Sequence, residues 1–136
     1  KPGFGYQEIR DEIDSALNKQ DIVCTGYISH EEKESFFKYA DVFVFPPLYQ
    51  GFGMPVLEAQ LRQVPVVASD IPSIVEIASD GALLVDPASV EQLADKIYKV
   101  ISEERTRTDL IERGLENVRK YSWFKCAKET LEVLAS

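Results

Sequence analysis

The feature that most constrains the fold is the run Val42–Phe45, in which every side chain is apolar. A strand with one face in water alternates apolar and polar residues, whereas a strand of a parallel sheet is covered on both faces and need not alternate. Other mainly apolar runs occur at 22–26, 66–69 and 83–85, and helical patterns separate them. Parallel neighbours need such crossovers of about a dozen residues or more. We therefore predict an α/β fold, with a Rossmann-like parallel sheet and helices on both faces.

The helices are predicted from apolar residues that recur every three or four positions. Ser29 with Glu32, and Ser73 with Glu76, also have the spacing of a capping box, in which each side chain bonds the other residue's backbone N–H. Since the chain opens on a helix, we expect the first strand of the sheet to lie upstream of Lys1. We expect residues 1–136 to form a single domain. The predicted helices cover about residues 6–18, 29–39, 55–63, 73–80, 90–101, 110–118 and 123–134.

Composition and charge limit the partners of the chain. The net charge is −8, and lysine and arginine are scattered among more numerous acids, so a general nucleic-acid surface is not expected. No segment approaches the roughly 18 consecutive apolar residues of a membrane helix, so membrane association is not indicated and a cytoplasmic location is expected. The cysteines, Cys24 and Cys126, are predicted to be buried, reduced thiols. Their spacing and the single histidine, His30, predict no metal site.

The loop between the second predicted strand and the next helix carries the strongest functional signal. In open α/β sheets, ligands bind where strands end and helices begin. Gly51 and Gly53 are expected to adopt positive φ and to let backbone amides approach a ligand. Pro55 suits the first turn of a helix, whose N-terminal amides attract phosphate. Glu58 follows about one turn later and could accept hydrogen bonds from ribose hydroxyls. Taken singly, the glycines could form an ordinary turn and Glu58 could be a solvated helix residue.

The segment Gln50–Glu58 resembles the signature of the retaining group 1 (family 4) glycosyltransferases. That signature has a glutamate, then Gly-Phe-Gly-Leu-Pro-x-Leu, then a second glutamate eight positions after the first. The resemblance extends over most of the chain. It also includes the segments Gly26–Ser29, Ala40–Pro46, Pro65–Ser69, Leu83–Pro87 and Tyr121–Trp123.

The resemblance implies the C-terminal, donor-binding lobe of a GT-B fold, with a UDP-, GDP- or ADP-sugar as substrate. It implies transfer of the sugar to a hydroxyl acceptor, no cofactor and no metal ion. The partner is then an N-terminal acceptor lobe, without which the isolated chain is expected to be inactive. The donor-binding residues implied are Glu58 for the ribose, Gly51, Phe52, Gly53 and Met54 for the diphosphate and sugar, Leu57 for the nucleoside, and the Tyr27-Ile28 backbone for the base.

The sequence departs from the family at Gln50, which stands where the first glutamate would lie near the donor sugar. Glutamine keeps the hydrogen-bonding reach and loses the charge. Gln50 is thus the candidate catalytic residue, and its identity leaves open an altered donor preference, a weakened enzyme or an introduced mutation. The alternative function is a nucleotide-sugar-binding module without transfer. A sugar-nucleotide epimerase would need an acid–base pair that the sequence lacks. The base, the sugar and the acceptor stay open.

Overall fold

The computed structural model describes residues 5–135. The chain divides into two compact units, Lys1–Glu32 and Lys33–Ser136, and each is described by itself. The expectation of a single domain stays a prediction.

In the first unit, helix α1 spans Tyr6–Ser15 and a short 3-10 turn follows at Lys19–Asp21. Helix α2, His30–Tyr39, starts at the boundary of the units. Its predicted capping box is confirmed. The Ser29 N–H donates to Glu32 Oε2 at 2.7 Å, and the Glu32 N–H donates to Ser29 Oγ at 3.2 Å. The backbone hydrogen bond from Ser29 is the main reason that the pKa of the Glu32 carboxyl lies below its usual value.

The predicted strand at 22–26 is wrong. No neighbouring strand pairs with it in the described part of the chain, and Val23 is 79% exposed. A β-branched run becomes a strand only where a ladder partner and a covering layer exist. Gly26 has φ 67°, which turns the backbone out of the extended region. The Cys24 thiol is exposed, so its predicted burial is wrong as well.

The second unit contains a parallel sheet of three strands that lie side by side in chain order: β1 (Phe43–Phe45), β2 (Val66–Ser69) and β3 (Ala82–Val85). Val44 pairs with Val67, and Val67 pairs with Leu83. Along the chain, a helix connects each strand to its parallel neighbour. The elements are β1 Phe43–Phe45, α3 Met54–Leu61, β2 Val66–Ser69, α4 Pro72–Ala78, β3 Ala82–Val85, α5 Val90–Ser102, α6 Glu104–Val118 and α7 Trp123–Ala135.

Strand β2 lies at the centre of the unit, and all of its residues are buried. Val66 and Ala68 pack with residues of α3 and α4, while Val67 packs on the opposite face with Val85 and Val100. Burying one such valine contributes about 1.5–3 kcal/mol of transfer free energy. The apolar side chains of β2 therefore need a layer on each face, and the predicted parallel sheet with helices on both faces is confirmed.

A buried polar cluster joins α3 to α6. Gln60 Nε2 donates to the carbonyl oxygens of Ala78 at 3.1 Å and Gly81 at 3.2 Å. Asn117 Nδ2 donates to Gln60 Oε1 at 2.8 Å and to the Ile77 carbonyl at 2.7 Å. The Ile77 carbonyl in the last turn of α4 is thus satisfied by Asn117, and the Ala78 carbonyl accepts from both Gln60 and the Gly81 N–H. We call this set the Gln60–Asn117 cluster.

The C-terminal helices differ in burial. Helix α5 is capped by the Ser89 hydroxyl, which accepts a hydrogen bond from the Gln92 N–H, and it buries Val100. Helix α6 begins at Glu104, earlier than predicted. Every residue of α7 is exposed, and Cys126 on it has an exposed thiol, so the expected burial of this cysteine is also wrong.

Candidate functional site at the loop between β1 and α3

Two serine hydroxyls hold the loop that connects β1 to α3. The Ser69 hydroxyl donates to the Pro47 carbonyl at 2.6 Å, and the Ser73 hydroxyl donates to the Gln50 carbonyl at 2.6 Å. The capping box predicted at Ser73 is therefore wrong. Helix α4 begins one residue earlier, after Ile71, and its N-terminus has no side-chain cap. The serine instead ties α4 to the loop and fixes the carbonyl next to the candidate ligand-binding glycines.

Gly53 ends the loop as the N-cap of α3, with φ 96° and ψ 35°. The positive φ favours glycine, and a Cβ at this position would lie 2.8 Å from Ile74 Cδ1, so the end of that side chain would have to shift. The predicted positive φ is thus confirmed at Gly53. It is wrong at Gly51, which is not among the positive-φ residues and where a Cβ would meet open space.

The N-terminus of α3 lies at the carboxyl end of the sheet, as predicted. Pro55 occupies the first turn, and no side-chain hydrogen bond caps this helix end. The first turn of a helix presents backbone N–H groups and the positive end of the helix dipole. Pro55 has no N–H, and the Val56 N–H donates to the Gly53 carbonyl at 2.9 Å, so this end of α3 would attract an anion through the helix dipole and the amides of residues 53 and 54.

A groove of about 320 Å³ runs beside α3. One wall contains Phe52, Met54, Leu57 and Glu58, so the structure brings together four of the residues expected to bind the donor. Leu57 is buried, whereas Phe52 and Met54 are 48% and 43% exposed. The remaining lining residues were not predicted as site residues, although Tyr121–Trp123 resembles a segment of the family. These residues are Leu61, Val118, Tyr121, Ser122, Trp123 and Cys126.

Two ionic contacts link α2 to the region of α3, and Glu58 makes one of them. Lys33 Nζ is 2.9 Å from Glu58 Oε1, and both side chains are 31% exposed. One turn on, the Arg62 guanidinium donates to both carboxylate oxygens of Glu34. The hydrogen bonds that Arg62 donates to the Glu34 carboxylate raise the pKa of Arg62 above its usual value. Lys33 was not predicted as a site residue, because its partner lies 25 positions away on another helix.

Three further predicted site residues are Gln50, Tyr27 and Ile28. The side chain of Gln50 is half-buried, and its carbonyl is held by Ser73. Tyr27 and Ile28 belong to the first unit, where Tyr27 is 99% exposed and Ile28 is half-buried. Their contact with a nucleotide base stays a prediction. Across residues 5–135, no three side chains of His, Cys, Asp or Glu are grouped as metal ligands would be. None of the helices described has the length and apolar character needed to cross a membrane.

Comparison with known proteins places these residues in a family. The family model described as glycosyl transferases group 1 matches residues 3–117. The O-antigen chain mannosyltransferase B of Escherichia coli is 34% identical over 106 residues, which are 78% of this chain and 28% of that protein. The chain therefore spans less than a third of the length of this curated relative.

Two solved structures share the fold. Sucrose-phosphate synthase from Thermosynechococcus elongatus superposes with a TM-score of 0.86 at 24% identity, covering 98% of this chain and 34% of that one. TarM gives a TM-score of 0.81 at 23% identity, covering 98% of this chain and 27% of that one. Because the family model covers most of the chain, including the whole of the loop and α3, the chain belongs to the group 1 glycosyltransferases.

Proposed function

We propose that this chain is the donor-binding lobe of a retaining glycosyltransferase that moves a sugar from a nucleoside diphosphate to a hydroxyl acceptor. The observation that carries the proposal is the start of α3. A glycine in the left-handed region opens an uncapped helix at the carboxyl end of β1, and Glu58 follows on the same groove. An anion and a diol can be bound side by side at such a position.

Each part of the donor has a candidate site. The diphosphate would bind at Gly51–Met54, where backbone amides neutralise charge without a metal ion. Glu58 would accept hydrogen bonds from the ribose hydroxyls, and Leu57 would contact the nucleoside. In the transfer itself, the bond from the anomeric carbon to the diphosphate oxygen breaks with its electron pair on that oxygen, a bond to the acceptor oxygen forms, and the acceptor proton passes to the departing diphosphate. The helix N-terminus would stabilise the leaving diphosphate, since negative charge develops there as the bond breaks.

The acceptor is proposed to enter from an N-terminal lobe in the whole protein, and the isolated chain is proposed to bind donor without transferring the sugar. We further propose a cytoplasmic location, where nucleotide sugars would be the soluble substrates. Fractionation of cells that produce the whole protein tests the location, and enrichment in another compartment would refute it.

The role of Gln50 distinguishes the proposal from its alternative, a nucleotide-sugar-binding module without catalysis. A carboxylate at this position would stabilise positive charge at the anomeric carbon, and an amide would do so less well. In the whole protein, Gln50→Glu is expected to raise kcat with little change in donor affinity. An unchanged kcat would count against a catalytic role for the position, and absence of transfer by either protein would favour the binding module.

Titration of the chain with UDP, GDP, ADP and their sugar conjugates tests donor binding, with amide NMR shifts as the readout. A mannosyl conjugate of GDP belongs in the set because one relative is a mannosyltransferase. We expect shifts in the amides of Gly51–Glu58 with one nucleotide, and their loss in Glu58→Ala. Glu112→Ala is the matched control, because Glu112 is an exposed acid on α6 outside the groove. Binding that survives Glu58→Ala unchanged would refute the assigned ribose site.

A further inference from the structure

Lys33 is the cation that contacts the carboxylate of Glu58. It lies on α2, Glu58 lies one turn into α3, and the Nζ–Oε1 distance of 2.9 Å is that of a charge-assisted hydrogen bond. Both side chains are 31% exposed, so the pair is partly removed from water. Solvent and salt screen such a pair less than one on the open surface. Glu58 therefore has a held position in the groove rather than the freedom of a solvated helix residue.

The second nearby cation, Arg62, is bonded elsewhere. Its Nε donates to Glu34 at 2.6 Å, and its Nη1 donates to the main-chain carbonyl of Glu58 at 2.9 Å. Its guanidinium carbon lies 5.1 Å from the centroid of the Phe37 ring, within cation–π range. The two cations therefore contact different parts of Glu58. Arg62 is fixed by Glu34 and contacts the backbone of Glu58, while Lys33 contacts its side chain.

We propose that Lys33 is a positioning residue for the nucleotide ribose, an inference that rests on the donor-binding function proposed above. An ionised carboxylate has about four acceptor positions. Lys33 uses one of them and restricts the rotamers of Glu58, which leaves the others to the two neighbouring ribose hydroxyls. Because the rotamer is fixed before the nucleotide arrives, less conformational entropy is lost on binding. Lys33 itself touches neither the sugar nor the phosphates in this arrangement.

Two other roles for the pair lead to different results. If Lys33 only staples α2 to α3, its loss weakens binding of every nucleotide by the same factor. If it competes with the ribose for the carboxylate, its loss strengthens binding of nucleotides that carry the hydroxyls. A positioning role predicts a third result, in which the preference for ribose over a sugar without hydroxyls becomes smaller.

The test measures that preference directly. Dissociation constants are determined by calorimetry for the chain with UDP, GDP and ADP, and with their 2′,3′-dideoxy forms. The ratio of the two constants for the best-bound base is the ribose preference. The variants are Lys33→Met, which keeps the stem without the charge, and Lys33→Arg, which restores a donor. Lys38→Met is the matched control, because Lys38 is an exposed lysine on the same helix and its loss changes the net charge equally.

In the unaltered chain we expect a ribose preference of about tenfold or more, the effect of one hydrogen bond to a charged group. Lys33→Met should lower the preference about three- to tenfold, because the Glu58 carboxylate is then less well placed for its hydrogen bond with the ribose. Lys33→Arg should recover most of it, and Lys38→Met should leave it unchanged. In Glu58→Gln the preference should be small already, and adding Lys33→Met should then have little further effect.

Three results would overturn the inference while leaving the donor-binding function intact. They are an unchanged preference in Lys33→Met with both affinities reduced equally, a larger preference in that variant, and an effect of the same size in Lys38→Met. If the unaltered chain binds none of the nucleotides, the proposed function itself fails and the inference fails with it. Equal binding of the ribose and dideoxy forms by the unaltered chain would remove the ribose site assigned to Glu58, and the inference with it.

Discussion

Removal of the Asn117 side chain gives the sharpest test of how α3 is held. In Asn117→Ala, two buried acceptors lose their donor, namely Gln60 Oε1 and the Ile77 carbonyl. Each orphaned buried acceptor costs about 1–3 kcal/mol. Asn117 Oδ1 is itself buried without a hydrogen-bond partner, so its deletion recovers part of the loss. We therefore expect the free energy of unfolding to fall by about 2–4 kcal/mol.

Urea denaturation followed by circular dichroism measures this change. For a domain of this size the slope of the unfolding free energy is about 1–3 kcal/mol per molar urea, so a loss of about 2–4 kcal/mol should lower the midpoint by about 0.7–4 M. The control is Glu116→Ala, because Glu116 is exposed and adjacent on α6; its effect should stay within about 0.5 kcal/mol. If Asn117→Ala destabilises the chain no more than this control, the buried hydrogen bonds do not stabilise it as argued.

A double-mutant cycle separates the cluster from general packing. Gln60→Ala removes the donor to Ala78 and Gly81 as well as the acceptor of the Asn117 side chain. Since the two residues share a bond, the double variant should be less destabilised than the sum of the single variants, by about 0.5–3 kcal/mol. Strict additivity would mean that each side chain acts independently of the other.

Three further predictions concern the loop and the first capping box. Gly53→Ala should lower the thermal midpoint by about 3–10 °C, because it forces alanine to a positive φ, whereas Gly51→Ala should change it little; equal effects would refute the conformational argument. Ser73→Ala should speed proteolytic cleavage of the loop between β1 and α3 by removing its hydrogen bond to the loop, and an unchanged cleavage rate would contradict this role. A pH titration by carboxyl NMR should give Glu32 a pKa below 4.5, since the folded state favours its charged form, and Ser29→Ala should raise that pKa partway. The stabilisation from Glu32 is thus present above its unfolded pKa and is lost as the pH falls through its folded pKa; a titration at or above 4.5 would refute it.

The sequence predicted those features that local patterns determine. Three of the predicted apolar runs became β1, β2 and β3, with β2 buried and the other two partly buried, and the positive φ at Gly53 favours the residue that the sequence supplies. The run at 22–26 has the same local pattern and forms no strand, since pairing depends on a partner that the pattern does not contain. Ser73 likewise has the spacing of a cap but bonds to a loop 23 positions away.

The missed parts of the site depend on contacts between distant segments. Lys33 and Glu58 are 25 positions apart, and Gln60 and Asn117 are 57 positions apart. Each of these residues, read alone, has the ordinary polarity of a helix surface, and only the packing of the helices gives it a partner. The wall of the groove formed by residues 121–126 was missed for the same reason, although its aromatic residues were visible in the sequence.

The exposure of every residue in α7 has a consequence for amide hydrogen exchange. A helix of 13 residues is marginal in water without tertiary burial, so local opening of α7 requires far less free energy than the global unfolding that exposes β2. Its amides should exchange early while those of β2 stay protected. Trp123 and Cys126 belong to α7, so local opening of this helix should displace one wall of the groove. The wall formed by α3 should stay in place. We therefore expect fraying of α7 to widen the groove, and a ligand that fills the groove should slow exchange in α7 most of all.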